Sequence, residues 1–207
     1  MLIKVCGLTR QDDLDRLQKL SVEFCGFIFH PGSKRYITPE SAARLETGVM
    51  MRTGVFVNQH GKELTNIMRG ARLHYAQFHG SQSLSDASLV GRDKIIRVLW
   101  PNRYAKLSDL LNEAEKWAGY CSFYLLDAGK HGGGSGATLE WHELECLELP
   151  HPWLLAGGLS AANITHALDM CSPQGIDLNS GVELKPGVKD CKQIEQTIKL
   201  VRQERNL

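Results

Sequence analysis

Met1-Leu2-Ile3-Lys4-Val5-Cys6-Gly7-Leu8-Thr9 is a short β-rich run that carries a cysteine to its carboxyl end. Gly7 and Thr9 then turn the chain toward an amphipathic stretch over residues 11–20. The same strand-then-helix unit recurs along the sequence. β-branched and aromatic runs bounded by turn residues predict strands at 2–6, 24–29, 52–57, 75–78, 95–99, 123–127, 153–156 and 175–178. Apolar residues at helical spacing predict helices at 11–20, 39–47, 62–72, 84–91, 104–119, 139–147, 161–170 and 191–205. Thr38 before Pro39 and Ser160 before Ala161 supply start signals, a hydroxyl cap in each case and a proline at the first helical position in one.

Eight such units fit the 207 residues with no Pro/Ser-rich linker between them. This pattern predicts one α/β domain over residues 1–207, a closed (β/α)8 barrel at the short end of its size range. An open doubly wound sheet needs only about five or six strands and leaves two or three units without a place.

Bulk composition narrows the function. A formal net charge of +1, with no basic cluster, leaves no electrostatic footprint for nucleic acid or an anionic membrane. No apolar run approaches spanning length and no signal-type segment precedes the first strand, so a cytoplasmic location is expected. Cys6, Cys25, Cys121, Cys146, Cys171 and Cys191 show no CxxC spacing and read as reduced thiols. The histidines lack metal-ligand spacing, and no metal or organic cofactor is expected.

A barrel of this kind carries its site at the carboxyl ends of the strands. Those ends hold Cys6, His30, Asn58, His79, Asp127, Gly157-Gly158 and Asn179-Ser180-Gly181. A thiol and a carboxyl at the same end of parallel strands can share a pocket and move protons in opposite directions. Loops seven and eight, Gly157-Gly158-Leu159-Ser160 and Asn179-Ser180-Gly181, suit a phosphate held on backbone N–H groups. Gly132-Gly133-Gly134-Ser135-Gly136-Ala137 has a formal dinucleotide spacing. It comes late after its strand, and the next strand ends in Gly157-Gly158 with no acidic residue for a ribose. It reads better as a loop beside Asp127 that closes over substrate. Ser33-Lys34-Arg35 reads either as a solvated charge run or as the carrier of a guanidinium that pairs with a substrate carboxylate, and Arg35 has no partner nearby in the sequence.

Seven segments, in order, carry a resemblance to a known family. They are Lys4-Val5-Cys6-Gly7-Leu8-Thr9, the stretch from Gly26 to Ile37, Gly54-Val55-Phe56-Val57-Asn58, Gln77-Phe78-His79-Gly80, Leu125-Leu126-Asp127 with Gly133-Gly134-Ser135-Gly136, Leu155-Ala156-Gly157-Gly158-Leu159, and Asp177-Leu178-Asn179-Ser180-Gly181-Val182-Glu183 with Pro186-Gly187-Val188-Lys189-Asp190. Together they resemble phosphoribosylanthranilate isomerase, the tryptophan-pathway barrel, over essentially the whole chain. One departure is Asn179, where many members carry serine.

The resemblance implies an Amadori rearrangement of N-(5-phosphoribosyl)anthranilate to 1-(2-carboxyphenylamino)-1-deoxyribulose 5-phosphate. It makes Cys6 the general base, Asp127 the general acid and Arg35 the carboxylate anchor. His79, Gly157, Gly158, Asp177, Asn179, Ser180 and Gly181 are expected to contact substrate. The base needs thiolate character, which a phosphate-binding or helix-terminus field would favour. The implied partner is a small phosphorylated substrate; a monomer is expected, with a homodimer left open. An aminoaldose isomerase of histidine synthesis runs a similar rearrangement with two aspartates at strands one and five. Cys6 and Leu99-Trp100 occupy those places here, against that reading. A barrel that binds phosphorylated ligands without turnover would not require both Cys6 and Asp127.

Overall fold

The computed structural model describes residues 1–127, 144–145 and 147–204. Eight parallel strands follow one another round the barrel: β1 (Leu2–Val5), β2 (Phe24–Ile28), β3 (Met51–Phe56), β4 (Tyr75–Phe78), β5 (Ile95–Leu99), β6 (Phe123–Leu126), β7 (Trp153–Leu155) and β8 (Gly175–Leu178). Closure is made by β8 pairing with β1, from Leu2 opposite Gly175 to Val5 opposite Leu178. The barrel expected from the sequence is the barrel found, and each predicted strand overlaps its counterpart to within a residue or two.

Alternation along the strands sorts the side chains. The outward set, including Ile3, Val5, Phe27, Phe56, Phe78, Leu99 and Tyr124, packs with the helices in the main core. The inward set fills the barrel in layers drawn from alternate strands. Phe24, Tyr75 and Phe123, the first residues of β2, β4 and β6, meet edge to face at 5.5–6.2 Å and plug the amino-terminal end. The matching position in β8 is Gly175, where a Cβ would lie 2.8 Å from the Leu2 carbonyl oxygen. Above this plug, Ile96, Val98, Trp100, Leu125, Leu154 and Ala156 form one interior cluster, and Cys6, Ile28 and Val55 another.

The described helices are α1 (Gln11–Lys19), α2 (Pro39–Arg44), α3 (Gly61–Gly70), α4 (Leu84–Val90), α5 (Leu107–Trp117), α6 (Ile164–Met170) and α7 (Cys191–Glu204). Thr38 caps α2 as expected, its hydroxyl accepting from the Ser41 N–H at 3.1 Å. Three boundaries differ from the sequence expectation. α2 stops at Arg44 because Leu45 is extended, with its carbonyl accepting from the Arg52 guanidinium at 2.9 Å. α5 starts at Leu107, because Pro101 opens a separate 3₁₀ turn and Lys106 is extended. α6 starts at Ile164, so Ser160 is not its cap. There the Asn163 side chain folds back, accepting from the Ser160 N–H at 2.8 Å and donating to the Gly158 carbonyl at 3.1 Å. Most of the helix expected over 139–147, and the glycine run from 132 to 137, lie outside the described residues.

The sequence reading also missed a small antiparallel ladder, β9 (Glu183–Lys185) with β10 (Val188–Lys189), turned at Pro186-Gly187. Gly187 takes φ +82, which a proline–glycine turn supplies readily.

Asp86 ties two strand-end loops together. Its carboxylate accepts from the Gly61 N–H at 2.8 Å and the Ser83 N–H at 2.9 Å, and lies 2.9 Å from His60 Nδ1. Burial opposes the charge, but these donors outweigh it and hold the carboxyl far below its usual range. Asp86→Ala is therefore expected to cost about 1–3 kcal/mol in denaturant unfolding at neutral pH. A group held low contributes stability above the unfolded-state value of about 3.9 and loses it as pH falls through the folded value. The wild-type advantage over the variant should thus shrink in strong acid. Equal stability at pH 7 would show that the cluster does not hold the loops.

Candidate active site

The carboxyl ends of the strands enclose a cavity of ≈ 340 Å³. Cys6, Arg35, His79, Asp127, Gly157, Gly158, Asp177, Asn179 and Ser180 all line it. Nine of the ten residues singled out from the sequence therefore meet at one place. Gly181 is the exception and is not on the wall. Its Cα rests against loop seven, where a Cβ would lie 2.2 Å from the Leu159 carbonyl oxygen. Its small size lets the seventh and eighth loops pack together.

Cys6 follows β1 with its N–H bonded to the Leu178 carbonyl at 2.9 Å, and it is 3% exposed. Space for the sulfur comes from Gly26 on β2, where a Cβ would sit 2.7 Å from Sγ. Asp127 follows β6, its N–H bonded to the Leu99 carbonyl at 3.0 Å, and it is 7% exposed. Strand geometry thus fixes both backbones, and alternation turns both side chains inward. His79 is held by its N–H on the Phe56 carbonyl at 2.9 Å and packs its ring edge to face with Trp100 at 5.2 Å.

The electrostatics differ from the expectation. Burial pushes the Cys6 thiol up, opposed by Lys4 and by Lys189 and reinforced by Asp177, and the outcome is a raised value. Two buried ammonium groups supply the charges that favour a thiolate. Lys4 is fully buried and pairs with Asp177 at 2.9 Å. Lys189 is buried as well, donating to Glu183 at 2.9 Å and to both oxygens of Asn179 at 3.1 and 3.2 Å.

Arg35 does have a partner, 148 residues further along. Its Nε and Nη2 clamp Glu183 at 2.7–3.0 Å. Burial would raise the Glu183 carboxyl, but Arg35 and Lys189 together hold it below its usual value. Arg35 Nη1 makes no hydrogen bond among the described residues and remains able to donate. Glu183 therefore orients the guanidinium and leaves one edge uncommitted among the described residues.

At the opposite rim, Gly157 and Gly158 take φ +111 and +70, conformations that favour glycine. Their N–H groups form no hydrogen bond among the described residues. Ser180 opens a 3₁₀ turn, Ser180–Val182, beside them.

Sequence reasoning passed over Lys4, Gln77, Glu183 and Lys189. Gln77 lies two residues below His79 in β4 and lines the cavity. It is buried, and its Oε1 has no hydrogen-bond partner among the described residues. Inward parity on a strand was the signal that would have found Lys4 and Gln77. Among the described residues no group of three or more His, Cys, Asp or Glu is placed to hold a metal ion, and no helix is long and apolar enough to cross a membrane.

A closed parallel barrel with a thiol and a carboxyl on the wall of one strand-end cavity places the chain among the (β/α)8-barrel enzymes. The particular family follows from comparison with known proteins. The sequence model of N-(5'-phosphoribosyl)anthranilate (PRA) isomerase matches residues 3–200, and the chain belongs to that family. An N-(5'-phosphoribosyl)anthranilate isomerase of Desulfovibrio desulfuricans is 50% identical over 205 residues, covering 99% of this chain and 97% of its own. Among solved structures, the phosphoribosyl anthranilate isomerase of Thermotoga maritima superposes with a TM-score of 0.85 at 28% identity, covering 98% of this chain and 99% of the other. A phosphoribosyl anthranilate isomerase in complex with reduced 1-(o-carboxyphenylamino)-1-deoxyribulose 5-phosphate gives 0.79 at 26% identity, covering 98% and 100%.

Proposed function

We propose that this chain isomerises N-(5'-phosphoribosyl)anthranilate to 1-(o-carboxyphenylamino)-1-deoxyribulose 5-phosphate, with Cys6 as general base and Asp127 as general acid, residues 1–207 acting as one catalytic domain. The observation that carries the reading is the presence of both side chains, from β1 and β6, on one cavity wall.

The steps need nothing beyond proton transfer. As the acid, Asp127 gives a proton to the furanose ring oxygen as the C1′–O bond breaks, and the nitrogen lone pair forms the C1′ iminium. The C2′ proton is now acidic. Cys6 removes it as the thiolate, the C–H pair becomes the C1′–C2′ double bond, and an enolamine results. Protonation at C1′ and loss of the 2′-hydroxyl proton complete the ketone. Substrate and product are isomers, so no external oxidant or reductant enters the balance. A positioned acid and base each contribute about 10²–10⁴-fold in such chemistry.

Binding follows the same geometry. The phosphate sits on the N–H groups of Gly157, Gly158 and Ser180, with Gly181 keeping the two loops in contact. The anthranilate carboxylate takes the free edge of Arg35. His79 and Gln77 face the middle of the substrate, and Asp177 and Asn179 line the floor beside Lys4 and Lys189. The protein works in the cytoplasm on a small phosphorylated substrate, as a monomer or a homodimer, with no nucleic-acid or membrane partner.

Arg35→Ala tests the carboxylate assignment. Glu183 keeps Lys189, so the fold should persist. Loss of a charge-assisted contact remote from the reacting carbon is expected to raise KM about tenfold or more, with a smaller change in kcat. An unchanged KM for the aromatic substrate would remove Arg35 from the site.

A further inference from the structure

We propose that Lys4 is a positioning residue for this reaction: its buried ammonium, paired with Asp177 and on the same inward face as Cys6, is the counter-charge that lets Cys6 act as an anion on the cavity floor. The proposal rests on the reading of Cys6 as the base.

The geometry begins with strand parity. Lys4, in β1, and Cys6, just past its end, are two residues apart and face the same way, into the barrel. Lys4 is opposite Asp177 in the β1–β8 register, and its Nζ reaches Asp177 Oδ1 at 2.9 Å. It has no exposed surface at all. Ile96 and Leu154 fill inward positions of β5 and β7 with apolar side chains, so the barrel does not need a charge for packing. An ammonium at that depth carries a large desolvation penalty. One carboxylate, Asp177, offsets part of it.

The charged and titratable neighbours of the thiol come from four elements. Lys4 stands on β1 itself, Asp177 on β8, Lys189 on β10 and Cys25 on β2. Asp127, after β6, acts on Asp177. Two ammonium groups favour the thiolate and one carboxylate opposes it. Lys189 is largely committed to Glu183 and Asn179. Lys4 is the strongest influence opposing the effect of burial on Cys6. During the reaction Lys4 keeps its proton throughout. The thiolate forms the S–H bond as the C2′–H bond breaks, and the ammonium stabilises the sulfur before that transfer.

The test reads the thiol directly, apart from turnover. Alkylation of Cys6 by iodoacetamide is followed against pH by peptide mass spectrometry in wild type, Asp177→Asn and the double variant Lys4→Gln/Asp177→Asn. Removing the carboxylate alone leaves Lys4 facing the sulfur, so the alkylation limb should fall below wild type. Removing the ammonium as well should lift it by about 1–3 pH units above Asp177→Asn, the range for a close opposite charge. A purely structural Lys4 would not give opposite movements. A limb that does not fall in Asp177→Asn, or does not rise again in the double variant, overturns the proposal, and each variant decides independently. Where neither folds, Lys4→Arg keeps the charge and should leave the limb within about half a unit of wild type; a rise of about one unit or more overturns it. Where variants turn over, the acidic limb of kcat/KM against pH should move with the alkylation limb. Near-wild-type turnover in Cys6→Ala would instead refute the base assignment while leaving the alkylation shifts in place, so the two failures are distinguishable.

Discussion

Cys6→Ala is expected to fold, to bind the ketose product as wild type does, and to lose about 10²–10⁴-fold in kcat. The expectation of normal folding comes from the site. The Cys6 backbone is held by its N–H on the Leu178 carbonyl, which the substitution leaves intact. Only the sulfur is lost, and it occupies the gap beside Gly26. The Lys4–Asp177 pair remains a matched pair of charges. Loss of turnover without loss of product binding would place the defect in the proton-abstraction step. Turnover close to wild type would show that another group takes the C2′ proton.

Asp127→Asn is the complementary experiment. The amide keeps the shape and the inward position after β6, and the backbone bond to the Leu99 carbonyl is untouched. What disappears is the transferable proton, so ring opening loses its acid. A fall in kcat of about 10²–10⁴-fold is expected, with little change in the unfolding midpoint. If the variant instead unfolds readily and its folded fraction turns over normally, Asp127 is a structural hydrogen-bonder. The two losses should not multiply in the double variant Cys6→Ala/Asp127→Asn, because once either step fails the other has nothing to act on.

The barrel was legible because its signal is local. Each strand is a short apolar run ended by a turn, and eight of them in 207 residues leave little choice of architecture. The same locality made Cys6, Asp127 and the Gly157-Gly158 turn readable, since a strand end is a sequence position. Long-range contacts were not readable. Nothing near Arg35 in the sequence hints that Glu183 clamps it. That contact depends on the β9–β10 ladder, whose strands are three and two residues long and too short for a periodic signal. Lys4 was passed over for a different reason. A lysine in an otherwise apolar strand reads as solvent-facing, whereas closure of β8 onto β1 buries it completely. The expectation of a helix opening at Ser160 failed because Asn163, a competent backbone mimic, diverted the first turn.

The most direct test of the account is conversion of N-(5'-phosphoribosyl)anthranilate by the purified chain, with aldosylamine and ketose separated by chromatography. The account predicts accumulation of 1-(o-carboxyphenylamino)-1-deoxyribulose 5-phosphate with wild type, and its near absence with Cys6→Ala and with Asp127→Asn under the same conditions. No ketose from folded wild-type protein, or equal ketose from all three proteins, would contradict it.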